Sequence, residues 1–472
     1  MASSVITSPT YDPKSYSEGL ANEYVAGTKA ILDSQAAKNK ATTAALSTLS
    51  SALSAFQSSL SALASSSSSV QATSATFSNT AVATATATAK AVPGTYSFYV
   101  QQLATAGQVS YNVSDSVATN AGAMNVVLAD GSTFQVDLAN ADNNMDGVLS
   151  AKEVAAAINT AANNNSRVTA STMTVNGQTR MVLTSAQTGA DNAVASIDVS
   201  GLGDAGLQAS LSSQTVVRTA SNAIVRLGDA NGEAVEQASN TFKLIDDVSF
   251  TITQAQSAGA APVSLTVAAD TKGTITNVQS FITAYNTLLG VFDTLTAAGD
   301  HTPTSNTDST PVTTDAAFHN DAGVRNLRDR LNAALRAATG GVSLINFGIT
   351  AAKDGTLSLD TARLERTMAN NPGTLDSLFG RAGIGVDSGV LGAMNKLTTA
   401  WTTSAGGYIA TRRDVATKQK SDIDDRQATL QTQFDSAYKR YLAQFTALQQ
   451  LQSTMTNTSN MFTALFDSNS SN

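Results

Sequence analysis

At 472 residues the chain is too long for one hydrophobic core, so two to four domains are expected. Charged residues make up only 14%, against roughly a quarter in ordinary soluble domains, and small polar residues fill the deficit. A net charge of −8 without a basic, aromatic-bearing face argues against nucleic acid and anionic lipid, and the lack of cysteine excludes disulfides, thiolate metal sites and cysteine nucleophiles.

The opening residues, "MASSVITSPTYDPKSYSEGL", have no basic n-region and no apolar h-region, so they do not read as a secretory signal. No apolar run approaches the roughly 20 residues of a bilayer-spanning helix, and no membrane insertion is expected. Tyr16 to Ala37 reads as helical, with Leu20, Val25, Ile31 and Leu32 as its apolar residues. Leu46, Leu49, Leu53, Phe56, Leu60 and Leu63 then follow at alternating spacings of 3 and 4, an uninterrupted a/d stripe. The Ser, Ala and Thr between them allow a partner helix to approach closely.

Residues 64–94 are Ser/Thr/Ala-rich and end in a Pro-Gly turn; within them "TAVATATATA" reads as an extended edge strand or strap. Short strand candidates follow: "TYSFYVQQLA", "MNVVLA", "TFQVDL", "TASTMTV", "RMVLTS", "AIVRL", "DVSFTI" and "VSLTV". Helical punctuation is sparse, at "AKEVAAAINTAANN" and at "TITNVQSFITAYNTLLGVFDTL".

Ahead of the first of these helices, "DNNMDGVLSAKEV" fits the calcium-loop pattern D-x-[DN]-x-[DN]-G-x5-E. Asp142, Asn144 and Asp146 would give side-chain oxygens, Val148 its carbonyl, Ser150 a water-mediated contact and Glu153 a bidentate carboxylate, with Gly147 allowing the sharp turn. A strand rather than a helix precedes the loop, and the sequence has no second loop to pair with it. Any site is therefore a strand-loop-helix variant, with a dissociation constant near the 10⁻⁴ to 10⁻³ M of extracellular modules. The competing reading is an Asn/Asp/Gly turn and a helix start without metal. Calcium is the one cofactor the sequence admits, and none is required.

Residues 296–315 read as a loose linker. Beyond it, Val324, Leu327, Leu331 and Leu335 form one face of an amphipathic helix, and Trp401 reads as a packing anchor. From Tyr408 to Phe466 runs the second helical arm, with Ile423, Leu430, Phe434, Tyr441, Phe445, Leu448 and Met455 at spacings of 3, 4 or 7. Arg412, Arg413, Lys418, Lys420, Asp422, Asp424, Asp425 and Arg426 crowd its start and are expected on solvated flanks.

The fold class is thus α+β and multidomain: terminal helices paired as a coiled-coil-like stalk, with an inserted β-rich head of two small domains. The expected divisions are a terminal leg (1–42 and 436–472), a stalk domain (43–78 and 272–435) with a hairpin near 344–360, a first head domain (79–120 and 215–271) and a second (121–214). No enzymatic activity is expected. His301 and His319 lack metal-ligand spacing, no nucleophile elbow or phosphate loop occurs, and Asp246 and Asp247 read as solvated turn residues.

Several segments together resemble the flagellar filament cap family, hook-associated protein 2. "PGTYSFYVQQLATAGQ" is similar to the family's entry strand, and Ile158 and Asn159 to its Ile-Asn motif. Phe281, Tyr285 and Asn286 lie on the segment resembling its return helix. "LINFGITAAKDGTLSLDTARLERTMANNPGTLDSLFG" resembles its most recognisable stretch, where Gly348, Asp354, Gly355, Leu357 and Asp360 define a hairpin and Asn371, Pro372 and Phe379 close the unit. The start, "TSPTYDPKSYSEGLANEYVAG", departs from the Gly-rich opening usual in the family.

The resemblance implies a secreted, motility-related protein at the flagellum tip, exported without a cleaved signal through the flagellar type III apparatus with its chaperone. It implies a homo-oligomeric ring, a pentamer, that promotes folding and insertion of flagellin, prevents its loss and adjoins the hook-filament junction proteins. Leu46, Leu49, Leu53, Phe56, Leu60, Leu63, Leu430, Phe434, Tyr441, Phe445 and Leu448 are then expected to form the stalk and its filament contact. The competing readings are a surface adhesin acting in cell adhesion and another hook-filament junction component.

Overall fold

The structure, a computed structural model, describes residues 12–64, 68–119, 121–299, 315–336, 342–371, 373–383, 385 and 387–469. Among them are nine α-helices: α1 (Pro13–Leu63), α2 (Ala151–Thr160), α3 (Ala205–Leu211), α4 (Thr271–Thr296), α5 (Ala322–Leu335), α6 (Thr361–Asn370), α7 (Thr374–Phe379), α8 (Gly389–Thr402) and α9 (Tyr408–Asn469). The chain divides into two compact units, residues 1–66 with 276–472, and residues 67–275. His301, Pro372 and most of the expected 296–315 linker lie outside the described residues.

The first unit is built on its two terminal helices. Asp12 caps α1, accepting from the N–H groups of Lys14 (3.1 Å) and Ser15 (3.4 Å), while Pro13 takes the first turn, where its missing donor costs nothing. The two helices expected before residue 64 are one helix of 51 residues, because no proline or cap signal interrupts the 3.6-residue period between them. The domain divisions expected at 42/43 and 435/436 therefore fall inside continuous helices.

Leu46, Leu49, Leu53, Phe56, Leu60 and Leu63 are buried, as are Phe281, Tyr285 and Phe292 of α4, Val324 and Leu331 of α5 and Leu391 and Met394 of α8, the helix that runs against this part of α1. Phe56 meets Tyr285 edge-on at 6.4 Å, and burial pushes the Tyr285 phenol up to about 12. Beside this core stands a hairpin of Ile349–Ala351 and Leu357–Leu359. Gly355 and Gly348 take left-handed backbone (φ 90° and 81°), and a Cβ on Gly348 would lie 2.5 Å from the Asp360 carbonyl. Asn286 of α4 holds the hairpin through both amide atoms, on Leu357 O (2.9 Å) and Leu357 N (2.8 Å). Asp360 then caps α6, and Phe379 packs edge-on against Phe281 at 5.3 Å.

The second unit contains two β-rich cores. One joins a five-stranded sheet, ordered Ala72–Phe77, Val263–Asp270, Gly94–Gln102, Ala223–Leu227 and Ala234–Gln237, to a three-stranded one of Thr241–Ile245, Val248–Ile252 and Ala83–Ala87. Phe77, Phe98, Phe242 and Phe250 cluster in this core. The "TAVATATATA" segment contributes the edge strand Ala83–Ala87, as its alternation predicts.

The other core lies under a four-stranded sheet ordered Gln214–Arg218, Gln108–Tyr111, Gln178–Ser185 and Val168–Val175, with a three-stranded sheet of Val194–Asp198, Ala123–Leu128 and Thr133–Asp137. Here α2 buries Ile158, and the Asn159 amide bonds both Ala170 N and Ala170 O at 2.8 Å, docking the helix on the adjoining strand as another strand would. Strand pairing shifts two expected boundaries. Ala72–Phe77 leaves the stalk for the first head core because it pairs with Val263–Asp270. Gln108–Tyr111 and Gln214–Arg218 join the second core because they pair with each other, so it extends beyond 121–214.

Candidate functional site

α1 and α9 run antiparallel along each other. Asn39 lies beside Ala416, Val25 and Leu32 cluster with Leu430, and the Tyr16 and Phe445 rings stand 6.1 Å apart. Each helix offers one apolar stripe to the other, with Ala21, Val25 and Leu32 facing Ile423, Leu430 and Ala437. Asn39 is buried in this seam and donates its Nδ2–H to the Ala416 carbonyl at 2.9 Å.

The expected stalk residues separate into two groups. Leu46, Leu49, Leu53, Phe56, Leu60, Leu63 and Leu430 are buried, so their side chains pack within this chain and offer little exposed surface. Phe434, Tyr441 and Phe445 are half-buried, and Leu448 is 42% exposed. Past Leu448, α9 exposes Leu451, Met455, Met461, Phe462 and Leu465, while α1 exposes Leu20, Tyr24 and Ile31. The far end of the arms is therefore an apolar surface with a few basic residues, among them Arg440 stacked over the Tyr24 and Tyr441 rings.

At the other end of α9, Arg412 makes a two-pronged ion pair with Asp321 (2.7 and 3.0 Å) and lies over the Trp401 ring at 5.1 Å. This corrects its expected place on a solvated flank, and it bears out Trp401 as a packing anchor, 7% exposed against Tyr408. Burial disfavours the Asp321 carboxylate more than any single contact favours it, but the hydrogen bonds and charge of Arg412 together with the Val324 and Gly323 N–H groups hold it below its ordinary range. Asp321 also caps α5 through Val324 N at 2.9 Å. Residue spacing gave no sign of this pair, because its partners come from separate elements; the one available signal was Asp321 standing just before an amphipathic run.

The loop 142–153 lies in the second head core, away from the arms in sequence and within the other unit. It follows the strand Thr133–Asp137 and leads into α2, whose cap pairs Ser150 with Glu153. Asp246 and Asp247 form the turn between Thr241–Ile245 and Val248–Ile252, where Asp247 accepts from Thr88 Oγ1 at 2.8 Å.

Comparison with known proteins gives the same picture along the chain. The family model for the flagellar hook-associated protein 2 N-terminus matches residues 10–107, and that for its C-terminus matches residues 220–457. The lateral flagellar hook-associated protein 2 of Vibrio parahaemolyticus is 30% identical over 386 residues, covering 80% of this chain and 83% of that protein. The B-type flagellar hook-associated protein 2 of Pseudomonas aeruginosa is 30% identical over 401 residues, 80% of each. In structure, the D1-D2-D3 domains of the flagellar cap protein FliD from Escherichia coli are similar with a TM-score of 0.58 at 25% identity, covering 79% of this chain and 99% of that one. The chain, with its antiparallel terminal arms and inserted β-rich cores, belongs to the flagellar hook-associated protein 2 family.

Proposed function

We propose that this protein caps the flagellar filament at its distal end, where it guides arriving flagellin into place and prevents its loss. The observation that carries the reading is the pair of terminal arms, zipped along one seam and apolar at the far end, in a member of this family. Copies assemble into a closed ring, a pentamer, through a heterologous contact repeated from neighbour to neighbour. The exposed side chains of the arm ends grip the filament through individually weak apolar contacts, which can be broken and remade as each flagellin subunit inserts. A chain without cysteine needs no oxidative folding, which suits passage through the flagellar type III export channel with a chaperone. Hook-filament junction proteins are the further neighbours at this site of assembly.

Deleting the gene tests the reading. The mutant is expected to release monomeric flagellin into the medium and to lack filaments; filaments of normal number and length would overturn it.

A further inference from the structure

We propose that residues 142–153 bind calcium, at a site in the second head core that does not rest on the capping reading. The observation that carries it is the Asp142 carboxylate. Its Oδ2 accepts from the Gly147 N–H at 2.9 Å, which turns the group into the loop, and its Oδ1 is sealed from solvent without a hydrogen-bond partner. It is the only carboxylate oxygen in that condition among the described residues. A buried, unsatisfied anionic oxygen is costly, and a cation beside it removes that cost.

The rest of the loop supplies what such an ion needs. Met145 and Gly147 take left-handed backbone (φ 59° and 80°), and the side-chain oxygens of Asn144 and Asp146 accept from Asp146 N (3.0 Å) and Val148 N (2.8 Å), which holds the oxygen-bearing positions 142, 144 and 146 along one tight coil of chain. Leu149 is fully buried, and Val148–Leu149 pairs with Ser116–Val117, so a two-residue strand braces the loop where a second calcium loop is absent from the sequence. Glu153, only 7% exposed, waits at the twelfth position. Every donor in the set is an oxygen, which fits calcium's six to eight ligands and not the nitrogen or sulfur preference of zinc.

The carboxylates do not converge on one point in this arrangement, and the reason is visible. Glu153 accepts from Ser150 N (3.0 Å), Ser150 Oγ (2.8 Å) and Asn143 N (3.2 Å), closing the cap of α2. To complete a calcium shell its side chain must turn from the cap to the ion. Calcium thus competes with the capping box, which sets the affinity in the weak range, about 10⁻⁴ to 10⁻³ M.

The test is calorimetric titration of the full chain, stripped with chelator, with calcium chloride and in parallel with magnesium chloride. E153Q is the informative variant, because Gln still serves a capping box but cannot give a charged bidentate ligand. Wild type is expected to take one calcium per chain with saturable heat, with magnesium giving none over the same range; E153Q and D142A should each bind at least tenfold more weakly, while E153Q keeps the wild-type circular dichroism in chelator. The proposal is overturned by an absence of saturable calcium heat up to about 10 mM, by equal binding of magnesium, or by variants that titrate as wild type does. The wild-type titration decides the matter should a variant fail to fold.

Discussion

The two halves of the arm pair are made from the same kind of sequence and do different things. From Leu46 to Leu63 the α1 stripe has α8 alongside, with Gln57 bonded to Thr399 and Thr402, and Tyr285 of α4 against Phe56, and every one of its large side chains is buried. From Pro13 to Leu32 the same helix has α9 beside it, joined by a thin cluster of Val25, Leu32, Leu430 and the half-buried Phe434. One heptad pattern therefore yields a rigid core where helices surround it and a narrow seam with exposed apolar flanks where they do not. Periodicity specifies a face; the number of neighbours decides whether that face is used up inside the chain.

The sharpest way to break this contrast is Leu53→Ala. Leu53 is fully buried, and its truncation is expected to cost about 2–5 kcal/mol, read as a fall in the denaturation midpoint of the helical unit. A cost below about 1 kcal/mol would mean that the stripe is loosely packed. Leu430→Ala in the seam should cost less, about 1–3 kcal/mol, since fewer neighbours surround it. Amide exchange should quicken over residues 13–32 and 423–445 with residues 46–63 unchanged; equal loosening of both halves would erase the distinction. Replacing Leu451, Met455 and Phe462 together by Ser should move stability by no more than about 0.5 kcal/mol per site, because all three are exposed. The same triple variant is expected to lose filament growth in cells, and normal filaments would show that the arm end is not the gripping surface.

Much of this was legible in the residues. The 3-and-4 spacing of Leu46 to Leu63 gave the buried face, and the alternation of "TAVATATATA" gave an edge strand, because both periods follow directly from backbone geometry. Where the stripe ends as core and begins as surface was not legible. Leu448 continues the spacing of Leu430 and Phe445, yet α1 starts at Pro13, opposite that part of α9, so among the described residues the pattern outruns its partner. Domain boundaries in the head were misjudged for a related reason: Ala72–Phe77 finds its hydrogen bonds on Val263–Asp270, at the far end of the insertion, and no local signal announces that. Arg412 stood in a charged cluster that suggested solvent; only folding brings Asp321 and Trp401 to it. In the loop 142–153 the sequence showed the oxygen-bearing residue types, whereas the unbonded Asp142 oxygen and the helix cap that occupies Glu153 required coordinates.

Asn39 carries a mechanical consequence. The Asn39 amide, buried in the seam, is satisfied at one longitudinal setting, where Nδ2 reaches the Ala416 carbonyl with Gln419 Oε1 beside it at 3.5 Å. Sliding either rod past the other would break these bonds, so the pair behaves as if dowelled. Axial thrust on the free tip is then passed along the rods as displacement of the whole, instead of being lost to slippage between them.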